Sequence, residues 1–330
     1  MNSVPETRFN RFRPILPFRN PHIQTILSSS RVRTWRMEAG PRATRTVILD
    51  AGQGIRLTGV LWMPDQGAVK GLVILLHGWE GSTDSVYILR TAGQLYRHGY
   101  AVFRLNYRDH GESHHLNEGL FYASRLDEVY TAVKAASRFR EEIPAFMVGF
   151  SLGGNFALRI ARRCRRESID NLRHIVCISP VLDPCKATDR IDATGYIRTY
   201  FLRKWRRSLL KKEMCYPDLY QFSTLARHKT VRSLTDALLA GYSEFESTRD
   251  YFDRYTLLDD ALKSVDIPTT IVTAADDPII PVEDFYRLQI NAQTTLAVLP
   301  HGGHNGFISD WSLKSWYEQR LVDLFDTVVE

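Results

Sequence analysis

The sequence predicts an α/β chain: a mostly parallel, doubly wound sheet with antiparallel N-terminal strands and an inserted helical cap. Three observations predict it. Six short apolar runs are near-continuous rather than alternating, as expected of strands buried on both faces of a parallel sheet. Amphipathic helical patterns separate most of them, so consecutive strands join through right-handed crossovers. One stretch, from Asp183 to about Lys263, carries no core-strand pattern and is too long for a simple loop.

The elements follow in order. "TRTVILD" and "IRLTGVLWMP" flank the turn "AGQG" and read as an opening hairpin. The buried runs are residues 71–78, 100–107, 145–150, 174–180, 269–275 and 295–300. Helices are expected in "SVYILRTAGQLYRHG", "SRLDEVYTAVKAASRF", "LGGNFALRIARRCRR" and the final "DWSLKSWYEQRLVDLFDTVV". The long insertion offers three more, "TGYIRTYFLRKWRRSLLKKE", "VRSLTDALLAGYS" and "FDRYTLLDDALKS". The organisation read from this is a segment 1–44 packed on the core, a core of 45–182 and 264–330, and a helical cap of 183–263.

With 330 residues, 44% of them hydrophobic, the chain can bury a large core, which argues against disorder. The net charge of +6 gathers in "RIARRCRRES" and "RKWRRSLLKK". Such runs can meet phosphates, although a solvated helix face is the plainer reading and no nucleic-acid module accompanies them. Cys164, Cys177, Cys185 and Cys215 have neither CxxC spacing nor histidine partners, which suggests no zinc site and no disulfide framework and fits a reducing cytoplasm. The first residues lack a signal-peptide core, and nowhere do eighteen uncharged apolar residues run together, so the expected protein is soluble or at most peripheral to a membrane.

The chemical signal is strongest at "VGFSLGGNFA". Gly149-Phe150-Ser151-Leu152-Gly153 matches G-x-S-x-G after a strand and before a helix, the context that motif requires. A serine at so sharp a turn has a strained backbone, and glycines on both sides let neighbouring backbone pass close. The following helix offers free N–H groups to negative charge near Ser151. Serine needs a base, and the base needs an orienting carboxylate. "TAADDPIIP" and "LPHGGHNGF" supply both after successive strands, in the order Ser, acid, His. Asp276 and Asp277 compete for the acid; adjacent residues leaving a strand point to opposite sides, so one of them reaches the base. Between His301 and His304, the Gly-Gly pair before His304 favours it, since it can shape a loop reaching back over the strand ends. The backbone N–H groups of Trp79, after His77-Gly78, and Leu152 are the expected oxyanion donors.

These motifs, "HGWEG", "NYRDHGES", "GFSLGGN", "DDP" and "GGH", resemble the α/β-hydrolase superfamily, and with "NPHIQT" at 20–25 the chain is similar to its YheT-like group, related to the ABHD1 and ABHD3 lipases. The resemblance implies the α/β-hydrolase fold and an esterase or lipase acting on carboxylic esters without metal or organic cofactor. Matched residue by residue, it makes Ser151 the nucleophile, Asp277 the acid and His304 the base. "RDHGESHHLNEGLFYASRLDE" departs from the bacterial founding member, so its substrate is not carried over.

Other candidates read more plainly. His77, Asp109 and His110 are expected to shape loops, and His114, His115 and Glu118 to form a polar loop rather than a metal cluster. "NPHIQT" is a capped turn pinning the N-terminal segment. Tyr196, Tyr200, Phe201, Trp205 and Tyr242 suit helix packing and an acyl-chain wall equally well. The expected partner is a small acyl ester or lipid, with no nucleic acid and a possible peripheral contact with an anionic membrane surface. The oligomeric state stays open.

Overall fold

A computed structural model describes residues 12–35, 37, 40–41, 44–64 and 68–329. Residues 1–11, and with them the start of the expected 1–44 segment, lie outside the described residues.

An eight-stranded sheet of order β1-β2-β4-β3-β5-β6-β7-β8 runs through the molecule. β1 (Arg45–Asp50) and β2 (Arg56–Trp62) form the opening hairpin, and β2 also pairs antiparallel with β4 (Tyr100–Asn106). All further pairings are parallel: β3 (Gly71–Leu76), β4, β5 (Ala145–Phe150), β6 (Leu172–Ile178), β7 (Thr269–Ala274) and β8 (Thr294–Leu299). Every residue of β3, β4, β5 and β7 is buried, which is why those runs show no polar alternation.

The period-2 rule still sorts their side chains. Leu72, Ile74 and Leu76 of β3 join one apolar cluster, while Val73 and Leu75 join a second. The first is covered by α3 (Leu126–Ser137) and α4 (Leu152–Arg163), the second by α2 (Val86–Arg97) and the final helix (Trp316–Val329).

Three helix readings change. The final helix starts six residues later than the expected Asp310, because residues 310–315 form turns and Ile308 bridges Ser315. Half of a capping box marks the start: the Ser315 N–H donates to Glu318 Oε1 at 3.1 Å, while the Ser315 hydroxyl donates to Gly306 O, and Glu318 is itself buried against Arg33 and Arg90. "FDRYTLLDDALKS" is mostly turns. Its helix is shifted upstream to Thr248–Asp253, opened by the Ser247 side chain, and the chain beyond is held by Leu257 N–H donating to Leu182 O at 2.8 Å. Leu257, Leu262 and Val265 are fully buried there as members of the first apolar cluster, so their spacing reflects burial in that cluster and not helical period.

An unexpected helix, Pro184–Ala193, opens directly after β6, with Asp183 accepting from Lys186 N–H and proline at the first position. In chain order the helices are α1 (Pro21–Ser28), α2, α3, α4, α5 (Pro184–Ala193), α6 (Gly195–Cys215), α7 (Val231–Tyr242), α8 (Thr248–Asp253), α9 (Val282–Tyr286) and α10 (Trp316–Val329). Those from α5 to α8 all lie between β6 and β7.

Candidate active site

The turn from β5 into α4 sets Ser151 at φ 54° and ψ −116°, a conformation an L-residue holds only when its surroundings over-determine it. They do so here. Ser151 N–H donates to Ile178 O at 3.0 Å, and its carbonyl accepts from Asn155 and Val181 N–H groups at 3.1 and 3.2 Å. A Cβ on Gly149 would overlap the Gly153 carbonyl, and one on Gly153 would overlap the carbonyl of Leu76, so both flanking glycines are sterically required.

At the ends of β7 and β8 the two loops place their side chains against this turn. His304 Nε2 lies 2.9 Å from Ser151 Oγ, and His304 Nδ1 lies 2.9 Å from Asp277 Oδ2. The second Asp277 oxygen accepts from Ile279 and Ile280 N–H groups at 2.8 and 3.0 Å, and the residue is 3% exposed. Asp277 is thus fixed at both oxygens, with one facing the imidazole. A hydrogen bond at Nδ1 sets the tautomer that leaves Nε2 free to accept the serine proton.

The neighbouring pair does something else. His301 Nδ1 stands 3.4 Å from Asp276 Oδ2, and Asp276 Oδ1 accepts from Gly303 N–H at 2.9 Å, so Asp276 shapes the loop that carries His304. Burial raises its carboxyl above the ordinary range.

Gly78 approaches Ser151 so closely that a Cβ there would sit 3.2 Å from the serine Cβ. This brings the 77–81 turn to Ser151, and neither Trp79 N–H nor Leu152 N–H donates to any described residue. Gly78 N–H is held by Tyr87 Oη at 2.9 Å, and Glu80 N–H by His110 Nε2 at 3.2 Å. His110 Nδ1 lies 2.8 Å from Arg108 O, and burial pulls its imidazole down to about 4, so it is neutral and donates from Nδ1. His77 is buried, with Nδ1 2.8 Å from Gly78 O. Asp109 accepts from Phe121 N–H of its own loop and pairs with Lys212 of α6. His114 meets Ser208 Oγ at 2.9 Å.

A cavity of about 100 Å³ opens on Ser151 and His304. Its walls are apolar. Trp79 stacks on Phe201 at 5.1 Å and meets Trp205 edge-on at 5.0 Å, so these two of the five insertion aromatics line it. Tyr196 instead reaches His22, 2.9 Å from its Nδ1, and Tyr242 packs against Phe222.

A family model described as serine aminopeptidase, S33, matches residues 67–309, well over half of the chain. The chain belongs to this family of α/β hydrolases. The S33-family chain is 24% identical to the putative esterase YheT of Escherichia coli (strain K12), over 97% of its own length and 94% of that relative. It is 27% identical to Protein ABHD15 of Homo sapiens over 63% of this chain and 44% of the relative. Among solved structures, the Pyrococcus furiosus esterase Pf2001 aligns with a TM-score of 0.54 at 19% identity, covering 88% of this chain and 97% of that one. The α/β hydrolase GrgF from Penicillium sp. sh18 gives 0.55 at 18%, covering 86% and 98%. These neighbours establish the fold; together with the family and the esterase-named relative they support a hydrolase.

Two residues of this S33-family chain that the sequence did not single out hold the histidine loop. Asn20 caps α1, accepting from His22 and Ile23 N–H groups, and the helix presents Gln24 and Thr25 inward. Thr25 Oγ1 accepts the His304 N–H at 2.9 Å. Gln24, fully buried, donates to Phe18 O and Ile308 O and accepts from Ile308 N–H. Gly303 has φ +51°, and a Cβ there would come within 2.7 Å of Gln24 Cβ. The available signal was "GGHNG" itself: closely spaced glycines mean that other backbone passes near, and that backbone is "NPHIQT".

Proposed function

We propose that the protein hydrolyses carboxylic esters, short- to medium-chain acyl esters or lipids, through an acyl-enzyme. One observation carries this reading: Ser151, His304 and Asp277 stand hydrogen-bonded in series at an apolar cavity. Ser151 Oγ attacks the ester carbonyl while His304 Nε2 takes its proton. Asp277 holds the tautomer and stabilises the imidazolium. The oxyanion is received by Trp79 and Leu152 N–H groups, each such donor being worth about 3–4 kcal/mol in the transition state. Collapse breaks the bond between acyl carbon and alcohol oxygen, and His304 returns the proton to the leaving alcohol. Water, deprotonated by His304, then attacks the acyl carbon and releases the acid and Ser151.

Ester hydrolysis is favoured over aminopeptidase action by the cavity wall. None of its described lining residues is a carboxylate, so a substrate's charged amino terminus would be buried there without a partner. Acyl transfer and thioester cleavage would use the same groups and differ only in the acceptor or leaving atom. The proposed scheme uses no metal or cofactor, and the proposed compartment is the cytoplasm, in keeping with four free cysteines.

Fluorophosphonate labelling tests the scheme: wild type should be labelled and Ser151→Ala should not. Labelling that survives the substitution sinks the assignment, and an unlabelled wild type that still binds an ester would make the fold a ligand-binding module. Added alcohol or thiol acceptors, with product analysis, separate hydrolysis from transfer.

A further inference from the structure

The two basic runs have different fates. In the first, Arg163 pairs with Asp127 and Glu167, Arg165 lies 3.7 Å from Asp266, and Arg159 is buried on the carbonyls of Ala123 and Ser124. In the second, on α6, Lys211 pairs with Glu112, and Lys212 is buried against Asp109 and loop carbonyls. Other basic residues of α6 form no ion pair among the described residues. Arg198, Arg203, Arg206 and Arg207, with Lys229 beyond the helix, line one open groove that contains no acidic residue, and none of the five forms an ion pair among the described residues.

Along the same helix the outward positions carry exposed apolar and aromatic groups. Tyr196, Tyr200, Leu210 and Met214 are 41%, 44%, 51% and 82% exposed, and with Arg203 and Arg207 they recur at three- and four-residue steps, one stripe of a helix about 30 Å long. The opposite side of α6 puts Phe201 and Trp205 into the cavity wall. At its start, Tyr196 meets His22 of α1, whose Ile23 and Ile26 are also exposed, 38% and 55%.

We infer that the outer stripe of α6 docks on an anionic phospholipid bilayer. Unpaired cations beside exposed Tyr, Leu and Met match headgroups and the acyl boundary together. A second copy of this chain would bring two basic faces into contact, and a nucleic acid would have no use for Leu210 and Met214. The inference deepens the ester reading by naming where the substrate is met, and rests on it for that point alone. A chain held by α6 would have its cavity within one helix diameter of the lipid.

Co-sedimentation with vesicles tests this, using Ser151→Ala protein so that turnover plays no part. Binding to phosphatidylcholine vesicles containing about one third phosphatidylglycerol, falling with salt, is the expected result, with little binding to phosphatidylcholine alone. Each basic residue near such a surface strengthens partition by about fivefold, so Arg203→Glu with Arg207→Glu should weaken it by more than tenfold. Leu210→Ser with Met214→Ser should weaken it several-fold while leaving its salt dependence. Arg249→Glu with Arg287→Glu, equal in charge but outside α6, should change it far less. If the glutamate pair fails to fold, Arg203→Gln with Arg207→Gln carries the same comparison. Absence of vesicle binding, equal loss in the control pair, or binding of single-stranded nucleic acid that needs the arginines but not Leu210 and Met214 would each overturn the inference. Because binding is read without turnover, a failed ester reading would leave this result standing.

Discussion

Two aspartate–histidine pairs stand side by side at the ends of β7 and β8, and they differ in what they hold. Asp277 and His304 are buried, 2.9 Å apart, and continue to Ser151. Asp276 and His301 are 3.4 Å apart at a partly exposed rim, and the better hydrogen bond of Asp276 is to the Gly303 backbone. In composition the pairs are the same. What separates them is the side from which each aspartate leaves the strand end: one carboxylate faces the imidazole, the other faces the loop that carries it. The first arrangement suits chemistry, the second shape.

The largest effect that would test this contrast is expected from Asp277→Asn, which keeps the side-chain volume but sets the wrong tautomer on His304. Loss of kcat by roughly 10⁴ is expected, by analogy with such triads in general, with substrate binding little changed. If Asp276→Asn costs more than Asp277→Asn, the two roles are exchanged. Next comes Thr25→Val, which leaves the His304 N–H without its acceptor. An unsatisfied buried donor costs about 1–3 kcal/mol, and kcat should fall by roughly ten- to a hundredfold with KM nearly unchanged. A fall in stability alone, with kcat intact, would make Thr25 a structural residue only.

Asp276→Asn should lower kcat by less than about tenfold, since the amide oxygen still accepts from Gly303. It carries a pH signature as well. Burial, the largest cause, raises this carboxyl in the folded protein, against the Gly303 N–H and His301, which lower it. A group so raised contributes stability that is fully present below its unfolded pKa of about 3.9 and lost as pH rises through the folded value. Asn has no such loss. The Tm of Asp276→Asn relative to wild type should therefore rise as pH increases from about 3.9 through the raised folded value, and a constant difference would remove the desolvation argument. The smallest effect belongs to His301→Gln at the rim, expected within about 0.5 kcal/mol in stability and twofold in rate.

Much of this was legible in the sequence. Apolar runs gave all eight strands because burial on one or both faces leaves a periodicity that a window of six residues can show. The serine turn was legible because its glycines are forced by local backbone overlap. Less legible were features decided at a distance. Leu257, Leu262 and Val265 look helical in spacing but are buried in the apolar cluster from turns. Ser315 and Glu318 have the spacing of a capping box, yet the five residues before them continue a plausible helical pattern and hide the start. Gln24 and Thr25 act through hydrogen bonds to residues near the far end of the chain, and nothing local to "NPHIQT" says what it touches.

That last contact has a consequence in time. Thr25 and His304 are separated by 279 residues of chain. At ribosomal speeds of about 5–20 residues per second, roughly 15–55 s pass between the synthesis of one and the other. A nascent chain can complete β1 to β6 and the serine turn well before the histidine loop exists, and that loop has its seat only when the first helix and the last strand have met. The site is therefore assembled among the last parts of the molecule, and a chain stalled or cut short during synthesis carries Ser151 without His304 beside it.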